Sequence, residues 1–503
     1  MPAPPSALRR RAQHYTDAGR HVEAIACWRD WLAQAPADAE GWYELGWLLR
    51  QRGADRDALA AYAQALTHGV REPEQVHVNR AAILSDTLAR DAEAEAELSA
   101  ALAISPDYVP ARLNLGKLLE DQGRRAEAIA CYRHIVECPA PATAPGADWW
   151  ADAFARLLEL VAAEPDAASW RTRVEQAARG SGGQGNSSRA NLWYALGRAR
   201  ETVRDVAGAF AAFTEANRCV AQTAPRYDPT AASARIDSLI AAASACPAGR
   251  GDDGTPGPLF ICGMFRSGST LVERVLAAHP AVVAGGELAW FPRLAAGPLA
   301  PYPASLARLD DASAAQLAAG YRAYITQLIP PDRPAPRWFT DKRPDNFLLL
   351  TLIKRLFPRA RIVHTVRNPL DNGLSIWQQH LDPRVAPHAT DLAAIGHWYA
   401  QYQRLMHHHA ACWPDDVLSF DYDAFVADPE PSLRRLLDFL ELPWDPACLA
   451  FHQRGGAVRT ASYLQVRRPL YRDASGRWRA YGERLAPLRD ALVAAGVTLP
   501  ADA

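Results

Sequence analysis

The densest chemistry in this sequence lies between Gly263 and Thr270, where GMFRSGST packs two glycines, a cation and three hydroxyls into eight positions. Glycines let the backbone turn so that several N–H groups converge, and the start of a following helix favours an anion at that point. The spacing can be laid on the phosphate-loop pattern G-x-x-x-x-G-K-[ST]. Gly263, Gly268 and Thr270 fit it, and Ser269 stands where the lysine would be. Loss of that lysine speaks against nucleotide hydrolysis and kinase chemistry, while Arg266 supplies a cation earlier in the loop. The expected ligand is a phosphate-bearing nucleotide. Taken alone, the same residues also describe an ordinary strand-to-helix turn.

Two further segments carry phosphate chemistry. In FTDKRPDNFLLLTLIKRLFPRARIVHTVRNPLDNGLSIW (339–377), Arg367 closes an apolar run and Ser375 follows eight residues later. An arginine at a strand end and a serine in the next helix can clamp a second phosphate; a surface salt bridge is the plainer reading of Arg367 alone. The segment RTASYLQVRRPLYRDASGRWRAY (459–481) interleaves cations and aromatics, among them Arg467, Arg468, Tyr471, Arg472, Arg477 and Trp478. Such a loop can wrap an adenine nucleotide by stacking and arginine–phosphate bonds, or be a basic surface tail.

These residues need elements to hold them. Leu259–Cys262 and residues 360–366 read as buried strands, and Leu271–Ala278 and Leu348–Leu356 as helices. CPAGRGDDGTPGP (246–258) reads as a linker. Ahead of it, a small residue followed twelve positions later by alanine recurs: Ala12–Ala24, Gly46–Ala58, Ala82–Ala94, Gly116–Ala128 and Gly197–Ala209. The first four units are spaced by 34, 36 and 34 residues, the period of a helix-hairpin array resembling tetratricopeptide repeats. Turns are expected at Gly53 and Gly123. Pro36 and Pro106 mark unit ends, where proline can open the next helix, and 178–188 is expected to be a flexible interruption. The expected architecture is an all-α tetratricopeptide-like repeat domain (1–245), a linker (246–258) and an α/β P-loop-like domain with a central parallel sheet (259–503).

The chain of 503 residues, with 49% apolar residues and a net charge of −1, is large enough for two cores and offers no nucleic-acid signature. Its eight cysteines contain no C-x-x-C pair, which predicts free thiols in a reducing compartment and no zinc site. MPAPPSALRRRAQHY lacks the apolar core of a signal peptide, and no apolar run approaches about 20 residues, so a cytoplasmic protein is expected. His364 is expected in the core and His407–His409 at the surface. Of 55 basic residues other than histidine, only Lys117, Lys342 and Lys354 are lysines. A lysine retained in so arginine-biased a chain suggests that a point-like ammonium is needed.

Together, residues 258–482 resemble the sulfotransferases that use 3′-phosphoadenylyl sulfate (PAPS), and are similar in particular to tyrosylprotein sulfotransferases and to bacterial sulfotransferases with appended tetratricopeptide repeats. The family loop PRSGTT is FRSGST here, with Phe265 for proline. The resemblance implies that Arg266, Ser267, Gly268, Ser269 and Thr270 meet the 5′ end of the nucleotide, and that Arg367 and Ser375 bind the 3′-phosphate. Tyr422 in FDYDAF matches a family tyrosine. Ser462, Gln465, Arg467 and Arg468 match the S-x-x-Q-V-x-K-P loop, and Arg477 and Trp478 a later K-W pair. Glu287, 21 residues after Arg266, falls on the family's catalytic glutamate, and Lys342 in TDKRPDN on its catalytic lysine; a helix-capping carboxylate is the plainer reading of Glu287. Two family arginines are replaced, by Gln379 and by Ala289, the latter at a position used toward peptides.

The implied reaction moves a sulfuryl group from PAPS to a hydroxyl acceptor, with Glu287 as general base, Lys342 and Ser462 stabilising the leaving oxygen, and no metal. A protein or peptide tyrosine held by the repeats is the favoured acceptor, with glycan hydroxyls and small phenols open and a homodimer possible. The rival readings are a P-loop-like kinase or nucleotidase and a protein-binding scaffold with an inactive sulfotransferase-like domain.

Overall fold

The computed structural model describes residues 5–88, 90–138, 146–180, 185–246, 254–329, 333–453 and 475–500. The chain divides into two compact units, Met1–Thr202 and Val203–Ala503.

The first unit is entirely helical among its described residues. Helices α1 (Pro5–Asp17), α2 (His21–Gln34), α3 (Ala39–Gln51), α4 (Asp55–Thr67), α5 (Pro73–Ala82), α6 (Asp91–Ile104), α7 (Val109–Gln122) and α8 (Arg125–Glu137) form four successive hairpins. They are followed by α9 (Gly146–Val161), α10 (Ala167–Arg179) and α11 (Asn186–Thr202). The small-residue rule has a direct cause. A Cβ on Gly46 would lie 2.7 Å from the Tyr62 ring, and one on Gly116 would lie 2.5 Å from the Tyr132 ring. Each glycine thus lets a fully buried tyrosine of the partner helix seat against backbone. The third hairpin has Ala82 and Leu98 at the matching places and carries a π-helical turn, Ile83–Thr87. Gly53 and Gly123 turn with φ of +72° and +81°. Pro36 and Pro106 lie in the turns before α3 and α7 and do not open the helices as expected; Asp38 caps α3 by accepting from the Gly41 amide.

The second unit begins earlier than the expected boundary at 245. Helices α12 (Val206–Ala221) and α13 (Pro229–Ala245) belong to it. The apolar face of α12 that continues the repeat pattern covers Trp377, whose ring lies 4.7 Å from Phe210 and 5.9 Å from Phe213. The buried Asn217 donates to the Trp377 carbonyl at 2.9 Å.

The sheet contains five parallel strands in the order β2-β3-β1-β4-β5. In chain order its elements are β1 (Gly257–Gly263), α14 (Ser269–Ala277), β2 (Val282–Ala284), α15 (Trp290–Ala296), α16 (Asp311–Thr326), β3 (Trp338–Lys342), α17 (Leu350–Leu356), β4 (Arg361–Val366), α18 (Pro369–Trp377), α19 (Leu392–Cys412), β5 (Val417–Asp421), α20 (Tyr422–Ala427) and α21 (Pro429–Phe439). Successive strand side chains face opposite ways. Leu259, Ile261 and Val363 enter a core with Val272, Val275, Phe425 and Leu433 on one side. Phe260 meets Phe291 and Tyr321 on the other. Both faces are therefore covered, which is why β1 reads as an unbroken apolar run from Leu259 to Cys262.

His364 is buried in β4 as expected, and burial holds its imidazole down at about 3. His409 departs from expectation: it is buried, stacks on Trp413 at 5.2 Å, and is likewise held down to about 3. Its place on the inner face of α19, four positions beyond Leu405, outweighs its polarity. No helix among the described residues is long and apolar enough to cross a membrane.

Candidate active site

The chain leaves β1 toward β2 and leaves β4 toward β5, on opposite sides of the sheet. These two neighbouring strands therefore open a crevice at their carboxyl ends, the place where open α/β sheets bind ligands. Register puts Gly263 beside Thr365 and Ile261 beside Lys342. The loop after β1 thus lies between the end of β3 and the end of β4.

That loop is built by close approach. A Cβ on Gly263 would lie 2.5 Å from the Thr365 carbonyl. The Ser267 hydroxyl donates to the Met264 carbonyl at 2.7 Å and pairs with the Thr365 hydroxyl at 2.6 Å. Ser267 is buried and shapes the loop from within. Gly268 has φ of +101°, and the space where its Cβ would be is taken by the Tyr422 ring. Arg266, at φ +67°, holds a backbone shape that side-chain-bearing residues rarely adopt.

The phosphate candidates converge here. Arg266 Nε donates to Ser375 Oγ at 3.1 Å. Arg367 Nη1 donates to the Arg266 carbonyl at 3.1 Å, and its guanidinium lies 5.0 Å from the centre of the Tyr422 ring. The fold thus brings together Arg266, Gly268, Arg367, Ser375 and Tyr422, which the sequence spreads over 157 residues. Asn372, which sequence reasoning missed, holds the Phe265 carbonyl at 2.9 Å.

Arg477 and Trp478 reach the same region by docking on α18. Asp371 accepts from the amides of Gly476 at 2.5 Å and Trp478 at 2.9 Å, and Arg477 donates to Gln378 at 3.3 Å. Asp423 accepts from the Asn368 amide at 2.7 Å and from the Ser475 hydroxyl. Asp371 and Asp423 were invisible to sequence reasoning because, in sequence, each looks like a first-turn helix carboxylate. The Trp478 ring is buried. Ser462, Gln465, Arg467 and Arg468 lie outside the described residues.

The second half of the site is a charge pair. Lys342 ends β3 and is wholly buried, and its Nζ donates to Glu287 Oε1 at 2.5 Å, with the glutamate side chain 43% exposed. Glu287 follows the turn Gly285–Gly286 after β2. The Gly285 amide donates to the Thr340 carbonyl at 3.0 Å, and the Lys342 amide to the Gly286 carbonyl at 2.8 Å. Asp341 points to the opposite face, where Tyr321 and Asn346 donate to it at 3.2 Å each; burial pushes its carboxyl up to about 7. The other two lysines are committed elsewhere, Lys354 to Asp416 at 2.8 Å and Lys117 to Asp152 at 2.7 Å. Among the described residues no group of three or more His, Cys, Asp or Glu is arranged to hold a metal.

Chemically, the site offers a cationic, amide-lined loop beside an ammonium and a solvent-reaching carboxylate. Comparison with known proteins finds likenesses in both parts of the chain. Residues 258–446 match the model of the sulfotransferase family, and residues 92–141 that of the tetratricopeptide repeat. An uncharacterized protein of Aquifex aeolicus is 33% identical over 47% of this chain and 32% of its own length. Protein-tyrosine sulfotransferase 1 of Danio rerio is 26% identical over 44% of this chain and 65% of its own length; the human protein-tyrosine sulfotransferase 1 is 27% identical over 42% and 58%. The chain therefore spans between 32% and 65% of the length of these relatives. The sulfotransferase domain of the Synechococcus PCC 7002 olefin synthase aligns over 50% of this chain and 100% of its own, at 22% identity and a TM-score of 0.37.

Proposed function

For a chain that joins tetratricopeptide repeats to a sulfotransferase-family domain, we propose transfer of a sulfuryl group from PAPS to a hydroxyl acceptor. The observation that carries this reading is the Lys342–Glu287 pair, seated one strand from the loop that holds Arg266. Glu287 takes the proton as the acceptor oxygen bonds to sulfur; general-base help of this kind contributes about 10²–10⁴-fold. The bond from sulfur to the bridging oxygen breaks, and 3′-phosphoadenosine 5′-phosphate leaves with the electron pair. Lys342, freed from Glu287 as that carboxylate gains its proton, stabilises the charge on the departing oxygen, with Ser462 as a second donor.

Arg266 and the amides following Gly268 hold the 5′-phosphate, with Ser269 and Thr270 at the start of α14. Arg367 and Ser375 hold the 3′-phosphate. Arg477 and Trp478 close the nucleotide side, and Gln465, Arg467 and Arg468, outside the described residues, carry the same nucleotide-binding role in this reading. The chemistry asks for no metal. The acceptor in this reading is a tyrosine of a protein or peptide, because a repeat array offers an extended surface for such a chain.

Calorimetric titration with 3′-phosphoadenosine 5′-phosphate, with ADP as control and no metal added, tests the reading. Binding of the first far more tightly than the second, followed by transfer of labelled sulfate from PAPS to tyrosine peptides or phenols, is the expected result. Equal binding of the two nucleotides, or none, would overturn it in favour of an inactive scaffold.

A further inference from the structure

Helix α14 carries one buried carboxylate that the proposed reaction does not use. Glu273 is 7% exposed on a helix whose neighbouring positions Leu271, Val272, Val275 and Leu276 are all core. Burying a carboxylate there is costly unless specific partners meet it. They do: Glu273 Oε1 accepts from the Gly286 amide at 3.0 Å and from the Thr340 hydroxyl at 2.7 Å. The Thr340 hydroxyl oxygen in turn accepts from the Gly285 amide at 3.2 Å, sharing that amide with the Thr340 backbone carbonyl at 3.0 Å. Two consecutive amides of one turn are thus fastened to a single carboxylate–hydroxyl pair, and the next residue is Glu287.

The turn itself permits no looser packing. A Cβ on Gly285 would lie inside van der Waals contact of the Thr340 carbonyl and the Phe339 ring, and Gly286 has φ of +69°. Around Glu273 the charged groups are Lys342 from β3, which pulls its carboxyl down, and Glu287, which pushes it up; burial dominates and raises it. Asp341, on the strand's other face, is itself pushed up by Glu273.

We infer that Glu273 and Thr340 form a brace that positions Glu287 against Lys342 and ties the base-bearing turn to the helix that starts at the phosphate loop. Both are positioning residues, and the inference rests on the reading of Glu287 as general base. The brace works through hydrogen bonds: glutamine at 273 can still accept both, and serine at 340 can still relay them, whereas valine at 340 keeps the shape and breaks the relay.

The test compares Glu273→Gln, Glu273→Ala, Thr340→Val and Thr340→Ser in the full chain. Three quantities are read: amide hydrogen exchange across residues 284–288, affinity for 3′-phosphoadenosine 5′-phosphate, and kcat and KM for sulfate transfer to a phenol. Thr340→Val is expected to speed exchange at the turn and lower kcat by about 10- to 100-fold, as a misplaced catalytic group does, with nucleotide affinity and acceptor KM within about threefold of the parent. Thr340→Ser and Glu273→Gln are expected to restore both exchange and kcat. Glu273→Ala leaves a hole beneath the turn; should it fail to fold, Thr340→Val alone carries the comparison. A Thr340→Val enzyme with unchanged exchange and kcat would overturn the brace, as would a Glu273→Gln variant as damaged as Thr340→Val. If the parent protein binds no nucleotide and transfers no sulfate, the reaction reading fails, and the exchange data still decide whether the brace exists.

Discussion

Lys342 Nζ and Glu287 Oε1 stand 2.5 Å apart, with the ammonium stem wholly buried and the carboxylate reaching solvent. An acceptor therefore meets the carboxylate first. The lysine approaches from inside the sheet, where low local dielectric strengthens its field. Replacing Lys342 with alanine should lower kcat by about 10²–10³-fold, with the affinity for 3′-phosphoadenosine 5′-phosphate largely kept. Arginine at 342 should not rescue, since its planar fork cannot take the place of a compact ammonium in a closed strand end. Steady-state kinetics with PAPS and a phenol, alongside calorimetry, would check both; wild-type turnover in the alanine variant would remove Lys342 from the mechanism, and in the arginine variant would show that any cation serves at this position.

Arg367 is held at its backbone by the Tyr399 hydroxyl at 3.3 Å, by its own bond to the Arg266 carbonyl and by the Tyr422 ring. A guanidinium so fixed loses little freedom when it meets a phosphate. Arg367→Ala should weaken binding of 3′-phosphoadenosine 5′-phosphate by about 10- to 150-fold, the range of a hydrogen bond to a charged group, while ADP binding changes little. Calorimetry with the two nucleotides would settle it: an equal loss for both would mean that Arg367 does not read the 3′-phosphate.

Gly268 combines a left-handed backbone with a Tyr422 ring lying where a Cβ would go. Gly268→Ala is expected to lose about 1–3 kcal/mol of stability from backbone strain alone, and to lose nucleotide binding because the loop and the ring must separate. Thermal unfolding with and without nucleotide would read both effects. A variant that binds normally would show that the loop adapts.

In the repeat unit, Gly116→Ala should destabilise by about 1–3 kcal/mol through overpacking against Tyr132. Adding Tyr132→Leu should recover part of that loss, because the third hairpin uses the alanine–leucine pairing of Ala82 and Leu98. Denaturant unfolding of the two single variants and the double variant gives the coupling directly; strictly additive losses would refute the pairing.

Burial holds the His409 imidazole down to about 3 in the folded chain, against about 6.5 for the unfolded chain. Between those values the unfolded chain binds a proton that the folded chain refuses. Its contribution to stability is therefore full above about pH 6.5 and falls as pH drops toward 3, by about 1.4 kcal/mol per pH unit. Compared with His409→Phe, the wild type should lose that much more stability per unit between pH 6 and 4. Parallel stability curves would mean that His409 is not buried neutral.

The sequence by itself determined the local facts. Strand, anion loop and helix were legible at 257–277 because apolar runs, glycines and hydroxyls act over a few residues. The hairpin repeats were legible because a small residue with an alanine twelve positions on recurs at the period of one hairpin; that Gly46 and Gly116 each admit a buried tyrosine was visible only in the packing. The resemblance to the sulfotransferases, together with the rarity of lysine, singled out Glu287 and Lys342, and the fold sets these two side chains 2.5 Å apart. Tertiary structure decided what depends on partners distant in sequence. Asp371 and Asp423 hold the Ser475–Trp478 segment across more than fifty residues of chain. Glu273 reaches the Gly286 amide only because β3 lies between β1 and β2. His409 is inside, and α12 turns its repeat-like face to Trp377, because each follows the apolar surface nearest in space. A residue's type and local spacing state what it can do; which partner it meets depends on strand order and helix packing, and those are set by the whole chain burying its apolar surface at once.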